Sequence, residues 1–266
     1  MNTLHLKVPG LPKKSYTIPG NWNELSKRQL LKVCKIMLDL PSRKQQLQIL
    51  LALLPEGFFA RLRFALAPAD QVQHWMVHLT RFIYEESPQL TNDILDSFRY
   101  KRETYIGPKE RFKNLTFEEF MVCEDILSRF RLHGEEEDLL QLVAVLYRPV
   151  REIVERHHRD IRQPFLHHHL ESDTERLCGI KPELLKAVAL CYTSFRLHLK
   201  DAFPQVFPKK KVKELDTKGQ SWVPLVRAMA PSVTEWEKVE RLSVWVVLYD
   251  FNKRLEEEKE RKAREK

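Results

Sequence analysis

Apolar and polar positions alternate in the first eighteen residues. Leu4, Leu6 and Val8 fall on one side of residues 3–8. Tyr16 and Ile18 repeat the pattern over residues 15–18, with Gly10, Pro12 and two lysines between the two runs. A period of two marks a half-buried strand, so a small N-terminal β-hairpin is expected.

The period then lengthens. Ser26 with Gln29 three positions on has the capping-box spacing that satisfies free backbone N–H groups at a helix start. Leu30, Val33, Cys34 and Met37 share one face of the helix that follows, and Pro41 stops it. Ser42 and Gln45 repeat the capping signal ahead of Leu47, Leu50, Leu51 and Leu54, and Pro55 closes that stripe. Residues 68–86 read as a further helix carrying Trp75, Val77, Leu79 and Phe82, and residues 92–100 as a short one. Residues 103–114 hold Gly107, Pro108 and few periodic apolar positions, which predicts a connector with a short strand over 104–106.

The run LQLVAVLYRP, residues 140–149, poses the choice between strand and helix. Thr116 and Glu119 form a capping box before a face of Phe120, Cys123, Leu127 and Phe130, and His133 and Gly134 break that helix. Leu139, Leu142, Val143 and Leu146 then stand at i, i+3, i+4 and i+7, which is helical spacing. Alternation would have placed Gln141 with Val143. The run is therefore expected to be the end of an amphipathic helix, with the β-branched Val143 and Val145 leaving a strand as the alternative. Tyr147 and Arg148 sit at its C-terminus, where a cation complements the helix dipole and reaches free carbonyls. Residues 26–55 and 116–149 repeat one pattern at a nearly constant offset. Duplication of a helical hairpin is one reading, and the general likeness of capped amphipathic hairpins is the other.

The last third continues in kind. Residues 151–162 read as a charged helix. Pro182 opens a helix lined by Leu184, Ala187, Val188, Cys191 and Phe195. Pro204 and Pro208 frame a break before KKKVKELDTKGQ, an expected exposed loop. Ser232 and Glu235 give a last capping box, for a helix lined by Trp236, Val239, Leu242, Val246 and Tyr249. The tail EEEKERKAREK places Glu257–Arg261, Glu258–Lys262 and Glu260–Arg264 at i, i+4.

The expected fold is mainly α: a multi-helix array of amphipathic helical hairpins with a small N-terminal β-hairpin. The segments are 1–20 (β-hairpin), 21–100 (N-terminal helical subdomain), 101–115 (connector), 116–203 (central helical subdomain), 204–231 (loop-rich linker) and 232–266 (C-terminal helix with charged tail).

Composition narrows the functional classes. Seven glycines in 266 residues argue against Gly-rich phosphate loops and many-stranded β folds. The net charge is +8, yet 31% of residues are charged with signs mixed, which favours a salt-laced helical surface over a dedicated polyanion binder. No signal-peptide core or bilayer-length apolar run occurs, so a cytoplasmic protein is expected. Cys34, Cys123 and Cys191 fall on apolar helix faces and Cys178 forms no CxxC pair, which reads as reduced core thiols.

Candidate chemistry is sparse. His74 and His78 stand at i, i+4 without an HExxH context. His157, His158, His167, His168 and His169 cluster with Glu171 and Asp173 nearby. Glu118, Glu119, Glu124 and Asp125 supply carboxylates, but Glu119 already serves as a cap. No GxSxG, Walker loop or dinucleotide fingerprint occurs. Lys209, Lys213, Arg148, Arg151, Arg156, Arg159 and Arg162 are candidates for phosphate contact, with Glu152, Glu155 and Asp160 interleaved. Tyr84, Tyr147, Trp222, Trp236, Trp245 and Tyr249 are large enough to anchor a protein interface.

Four stretches carry a family likeness: FKNLTFEEFMVCEDILSRF, LLQLVAVLYRP, GIKPELLKAVALCYTSFRLHLKDAFPQVF and VERLSVWVVLYDFNKRLEEE. Over residues 112–258 the chain resembles helical proteins encoded among tail-morphogenesis genes of bacteriophages and prophages of Bacteroides-type bacteria. Those proteins look like tail assembly chaperones. The marks are LTFEEF, LYRP and GIKPELL, which are framework residues and not chemistry. The resemblance implies a non-catalytic protein without cofactor, acting in the bacterial host cytoplasm. It would hold a long helical tape measure protein soluble before the tail tube forms. The expected partner-binding residues are Leu142, Val143, Leu146, Tyr147, Arg148, Trp245 and Tyr249. One alternative is a basic helical nucleic-acid-binding protein. A second is a metal-binding protein using His74, His78, His157, His158, His167 and His169.

Overall fold

The computed structural model describes residues 1–6, 14–55, 57–84, 90–91, 94–151, 160–207, 222–230 and 232–265. Helices dominate it, and the chain divides into two units. Unit 1 comprises Met1–Ile94 with Lys181–Ser194. Unit 2 comprises Leu95–Ile180 with Phe195–Lys266.

In unit 1, strands β1 (Asn2–Leu6) and β2 (Lys14–Ile18) pair antiparallel, with Leu4 opposite Tyr16 and Asn2 opposite Ile18. The expected turn, and with it Val8, lies outside the described residues. Leu4 and Ile18 are fully buried and join Leu50, Leu54 and Phe64 in one core, with Trp75, Met76 and Leu79 packed against it. The helical side chains come from α2 (Ser42–Leu53) and its C-cap Leu54, α3 (Phe58–Ala65) and α4 (Ala69–Leu79), while α1 (Lys27–Asp39) buries Leu30, Val33 and Cys34.

The capping box at Ser26 forms as the spacing predicts, with Gln29 N–H donating to Ser26 Oγ at 3.3 Å. The second expected box does not. Pro41 is the N-cap of α2, and the Gln45 amide turns back to donate to the Leu40 carbonyl at 2.7 Å, so it closes the end of α1. The α2 stripe is rotated as well. Ile49, Leu50, Leu53 and Leu54 are buried, while Leu47 is exposed. Helix α3 was not legible, because Gly57 gives it no side-chain cap and its apolar residues lie on both faces: Phe64 inside, Phe59 outside. The single helix expected over 68–86 ends at Leu79. There the Thr80 hydroxyl donates to the Met76 carbonyl, and a 3-10 turn (Arg81–Tyr84) follows.

Unit 2 holds strands β3 (Ser97–Tyr100), β4 (Glu103–Ile106) and β5 (Arg148–Pro149) in one antiparallel sheet in that order. Its helices are α5 (Phe117–His133), α6 (Glu136–Leu146) and α7 (Leu170–Arg176). They are followed by the part of α8 (Pro182–Ala202) from Phe195 onward, then α9 (Val223–Met229), α10 (Val233–Glu240) and α11 (Val244–Arg264). The strand expected over 104–106 is β4. The short helix expected over 92–100 is corrected, since its second half is β3. Phe98 stacks on Tyr105 across the strand pair, ring centroids 5.3 Å apart, and that cross-strand contact outweighs local preference.

LQLVAVLYRP does close a helix, at Leu146. Its last residues, Arg148 and Pro149, then turn into β5 and pair with Ile106 and Tyr105. Gly134 ends α5 in the left-handed conformation at φ 72°, with its N–H donating to the Phe130 carbonyl at 2.8 Å. The charged helix expected over 151–162 lies mostly outside the described residues. Its end is corrected, since Arg162 forms a bridge with Val150 instead.

The single C-terminal helix is also corrected. Around Leu242 and Ser243 the chain leaves the helix to pair with the entry to α5. The Phe117 N–H donates to the Leu242 carbonyl at 2.8 Å, and the Val244 N–H donates to the Leu115 carbonyl at 3.0 Å. Helix α10 therefore starts and stops before α11, and the Ser232 side chain does not cap it. The break shifts the buried face to Val244, Val247 and Leu248. In the tail, Glu258–Lys262 and Glu260–Arg264 pair as expected, while Glu257 lies by Lys253.

Cys34, Cys123 and Cys191 are buried and Cys178 is exposed. Burial pushes the Cys34 thiol up to about 12. Among the described residues, no helix is long and apolar enough to cross a membrane.

Candidate functional site

The residues that mark the sequence, Thr116 and Glu119 of LTFEEF and Arg148 of LYRP, meet inside unit 2. Thr116 caps α5, its Oγ1 accepting from the Glu119 N–H at 3.2 Å. Glu119 Oε2 accepts from the Thr116 N–H at 2.8 Å. This is the expected capping box, but the carboxylate does more. It is almost wholly buried, and Arg148 pairs with its Oε1. Arg162, also fully buried, places Nη2 at 3.4 Å from both Glu119 oxygens and 2.8 Å from Asp160 Oδ2.

The two guanidiniums also cap α6. Arg148 Nη1 donates to the Val145 carbonyl at 2.6 Å, and Arg162 Nη1 to the Leu146 carbonyl at 2.8 Å. A carboxylate thus sits at the N-terminus of α5 and two cations at the C-terminus of α6, the favoured sign at each end. Arg148 Nε donates to the Gln163 carbonyl at 2.7 Å, which ties in the chain after residue 160.

Burial pulls Arg148 below the usual guanidinium value against the opposing charge of Glu119. For Arg162 burial acts the same way, but the charges and hydrogen bonds of Glu119 and Asp160 outweigh it and raise the value. Both side chains therefore stay charged. Burial also pushes the Asp160 carboxyl up, and hydrogen bonds and charge from Arg162 overcome it, so it lies below the usual carboxylate range. A depressed carboxyl adds stability above its unfolded value and loses it as pH falls through the folded one.

Next to this network opens a cleft of about 240 Å³. Tyr105, Tyr147, Leu166 and Leu177 wall it, and His169, Asp173 and Arg176 stand along one side. Tyr147 is held firmly, since its hydroxyl donates to the Leu95 carbonyl at 2.6 Å and its ring lies against Phe98. Gly107 leaves room for that ring: a Cβ added there would lie 2.5 Å from Tyr147 Cε1. Gly107→Ala is therefore expected to cost about 1–3 kcal/mol of stability, read as a lower denaturant midpoint. A midpoint equal to wild type would show that Tyr147 can yield.

The expected partner-binding residues separate into two groups. Leu142, Val143 and Leu146 are fully buried under their own fold, while Tyr147 and Arg148, also buried, border the cleft. Trp245 is half-buried against Phe195 and Phe203, with Nε1 donating to the Arg111 carbonyl at 3.0 Å. Tyr249 is 66% exposed. Val246, which sequence assigned to the buried face, joins it on the outside of α11, and Leu242, in the break before that helix, is exposed as well. On α3 and its C-cap, Phe59, Leu62 and Leu66 form a second exposed stripe that sequence reasoning missed.

The other candidates disperse. Arg148 and Arg162 are spent on the buried network and cannot reach phosphate. Arg151 Nε donates to the Arg162 carbonyl at 2.6 Å. Arg156, Arg159, Lys209 and Lys213 lie outside the described residues, as do His157 and His158. His74 and His78 are exposed on α4 with ring centroids 4.2 Å apart, and His167 meets the Phe165 ring. Among the described residues, no group of three or more His, Cys, Asp or Glu side chains could hold a metal ion. Glu124 is bound by Arg196, whose Nε donates to both carboxylate oxygens at 2.7–2.8 Å. Compared with known proteins, the chain matches no family model, no curated protein and no solved structure.

Proposed function

We propose that this chain is a non-catalytic binding protein for a long helical partner, working as a tail assembly chaperone does on a tape measure protein. One observation supports this reading best: each unit carries an uncovered apolar stripe at helical spacing. In unit 1 it is Phe59, Leu62 and Leu66, at i, i+3 and i+7, with Phe59 71% exposed. In unit 2 it is Val246 and Tyr249 on α11, at i and i+3, with Val246 54% exposed and Leu242 exposed just before the helix. Single exposed apolar residues are ordinary, but a stripe matched to the helical period is the complement of an amphipathic helix. A long client helix with apolar flanks aggregates unless they are covered. The pairs α1–α2 and α5–α6 are read as helical hairpins of the array, while the exposed stripes lie on α3 and α11.

The test is capture of a long, largely helical tape measure protein by this chain. Val246→Glu with Tyr249→Glu, and separately Phe59→Glu with Leu62→Glu, should each weaken capture at least about tenfold, because burial of such side chains contributes about 1.5–3 kcal/mol apiece. Helical circular dichroism should stay unchanged, since all four positions are exposed. Wild-type capture by both double variants would refute the stripes as the binding surface.

A further inference from the structure

The cleft beside the buried ion network combines apolar walls with a polar rim, and its size and charge balance restrict what it can hold. At about 240 Å³ it lies below the range of about 300–1,000 Å³ of pockets for drug-sized ligands, so a nucleotide or large cofactor does not fit. One large side chain does. The charges around it largely cancel: Arg148 pairs with Glu119, and Arg176 Nη1 lies 3.5 Å from Asp173 Oδ1. Such a site offers little net attraction to a polyanion and little penalty to a neutral ring. Both wall tyrosines have their hydroxyls engaged elsewhere, Tyr147 on the Leu95 carbonyl and Tyr105 on Glu103, so their rings act as apolar surface.

Polar reach comes from one side. His169, Asp173 and Arg176 stand at i, i+4 and i+7, one face of α7 and its N-cap, and all three border the cleft. Gln163 also borders the cleft, its backbone fixed by its N–H donating to the Pro149 carbonyl and its carbonyl accepting from Arg148 Nε. An apolar ring with a polar tip satisfies both features.

We propose that this cleft is the anchor pocket for a single tyrosine side chain of the protein partner, the ring between Tyr105, Tyr147, Leu166 and Leu177 and the hydroxyl toward Gln163 and His169. This rests on the reading of the chain as a protein-binding protein, and it places a specificity point apart from the helical stripes. Interfaces concentrate their energy where an aromatic residue fills such a pocket.

The test is an amide NMR titration of the full chain with N-acetyl-L-tyrosinamide, with N-acetyl-L-alaninamide as control. Saturable shifts are expected at Gln163, His169 and Leu177 with the tyrosine amide alone, in the millimolar range of about 1–10 mM expected of a fragment. Leu166→Ala, at an exposed wall position, should weaken binding about threefold or more, and Ala144→Leu, which fills the floor, should abolish it. If Ala144→Leu does not fold, Leu166→Ala still decides. No saturable shift, an equal response to the alanine amide, or unchanged binding by Leu166→Ala would overturn the proposal. Binding of the amide is independent of the stripes, so failure here leaves client capture standing, and failure of client capture leaves the pocket standing.

Discussion

Glu119→Gln is expected to remove about 3–5 kcal/mol of folding stability, the range for breaking a buried ion pair by deleting one partner. The substitution keeps the shape of the side chain and its capacity to cap α5, so the loss isolates the charge. What remains is two guanidiniums, both nearly inaccessible to water, sharing the partly exposed Asp160. Chemical denaturation followed by circular dichroism reads the effect. A control at Glu110, an exposed carboxylate 3.9 Å from Arg111, should change stability by less than about 1 kcal/mol when neutralised. Equal midpoints for Glu119→Gln and wild type would mean that water reaches the network and that it contributes little.

The second large effect is expected at Phe120. Its ring is fully buried on α5, 5.9 Å from Phe117 and 5.0 Å from Trp222 between ring centroids, and Phe207 meets the same indole at 5.7 Å. Truncation to Ala removes a side chain that joins α5 to Trp222 and leaves a cavity walled by rings that cannot collapse together. A loss of about 3–5 kcal/mol is expected, with a shift in Trp222 emission on the way. A loss under about 1 kcal/mol would show that the cluster repacks around the gap.

These two sites show what the sequence does and does not disclose. The capping roles of Ser26, Thr116 and Glu119 were legible because a capping box is local, complete within four residues. The helical reading of LQLVAVLYRP held for the same reason. Arg148 was read correctly as a cation at a helix end, and it does reach the Val145 carbonyl. Its pairing with Glu119 was not legible, nor was that of Arg162, 43 positions away from Glu119, because no periodicity links residues that meet only through tertiary packing. That Leu142, Val143 and Leu146 are covered by their own fold was not legible for a related reason. An apolar stripe announces burial, but not whether its own fold or a partner supplies the cover. The informative stripes were the ones the fold leaves uncovered. That of α11 became visible only once the break at Leu242 and Ser243 rotated the helix, turning Val246 and Tyr249 outward. That of α3 lay in a helix that begins at Gly57 without a side-chain cap, and so without a start signal.

The proposed function draws on the apolar residues left exposed on α3 and α11, outside the core that the buried ion network ties together in unit 2. The most direct measurement is the soluble fraction of a long helical tape measure protein when it is expressed with and without this chain. The account predicts that the client is soluble in the presence of this chain and aggregates without it. A client that stays equally soluble alone would contradict it.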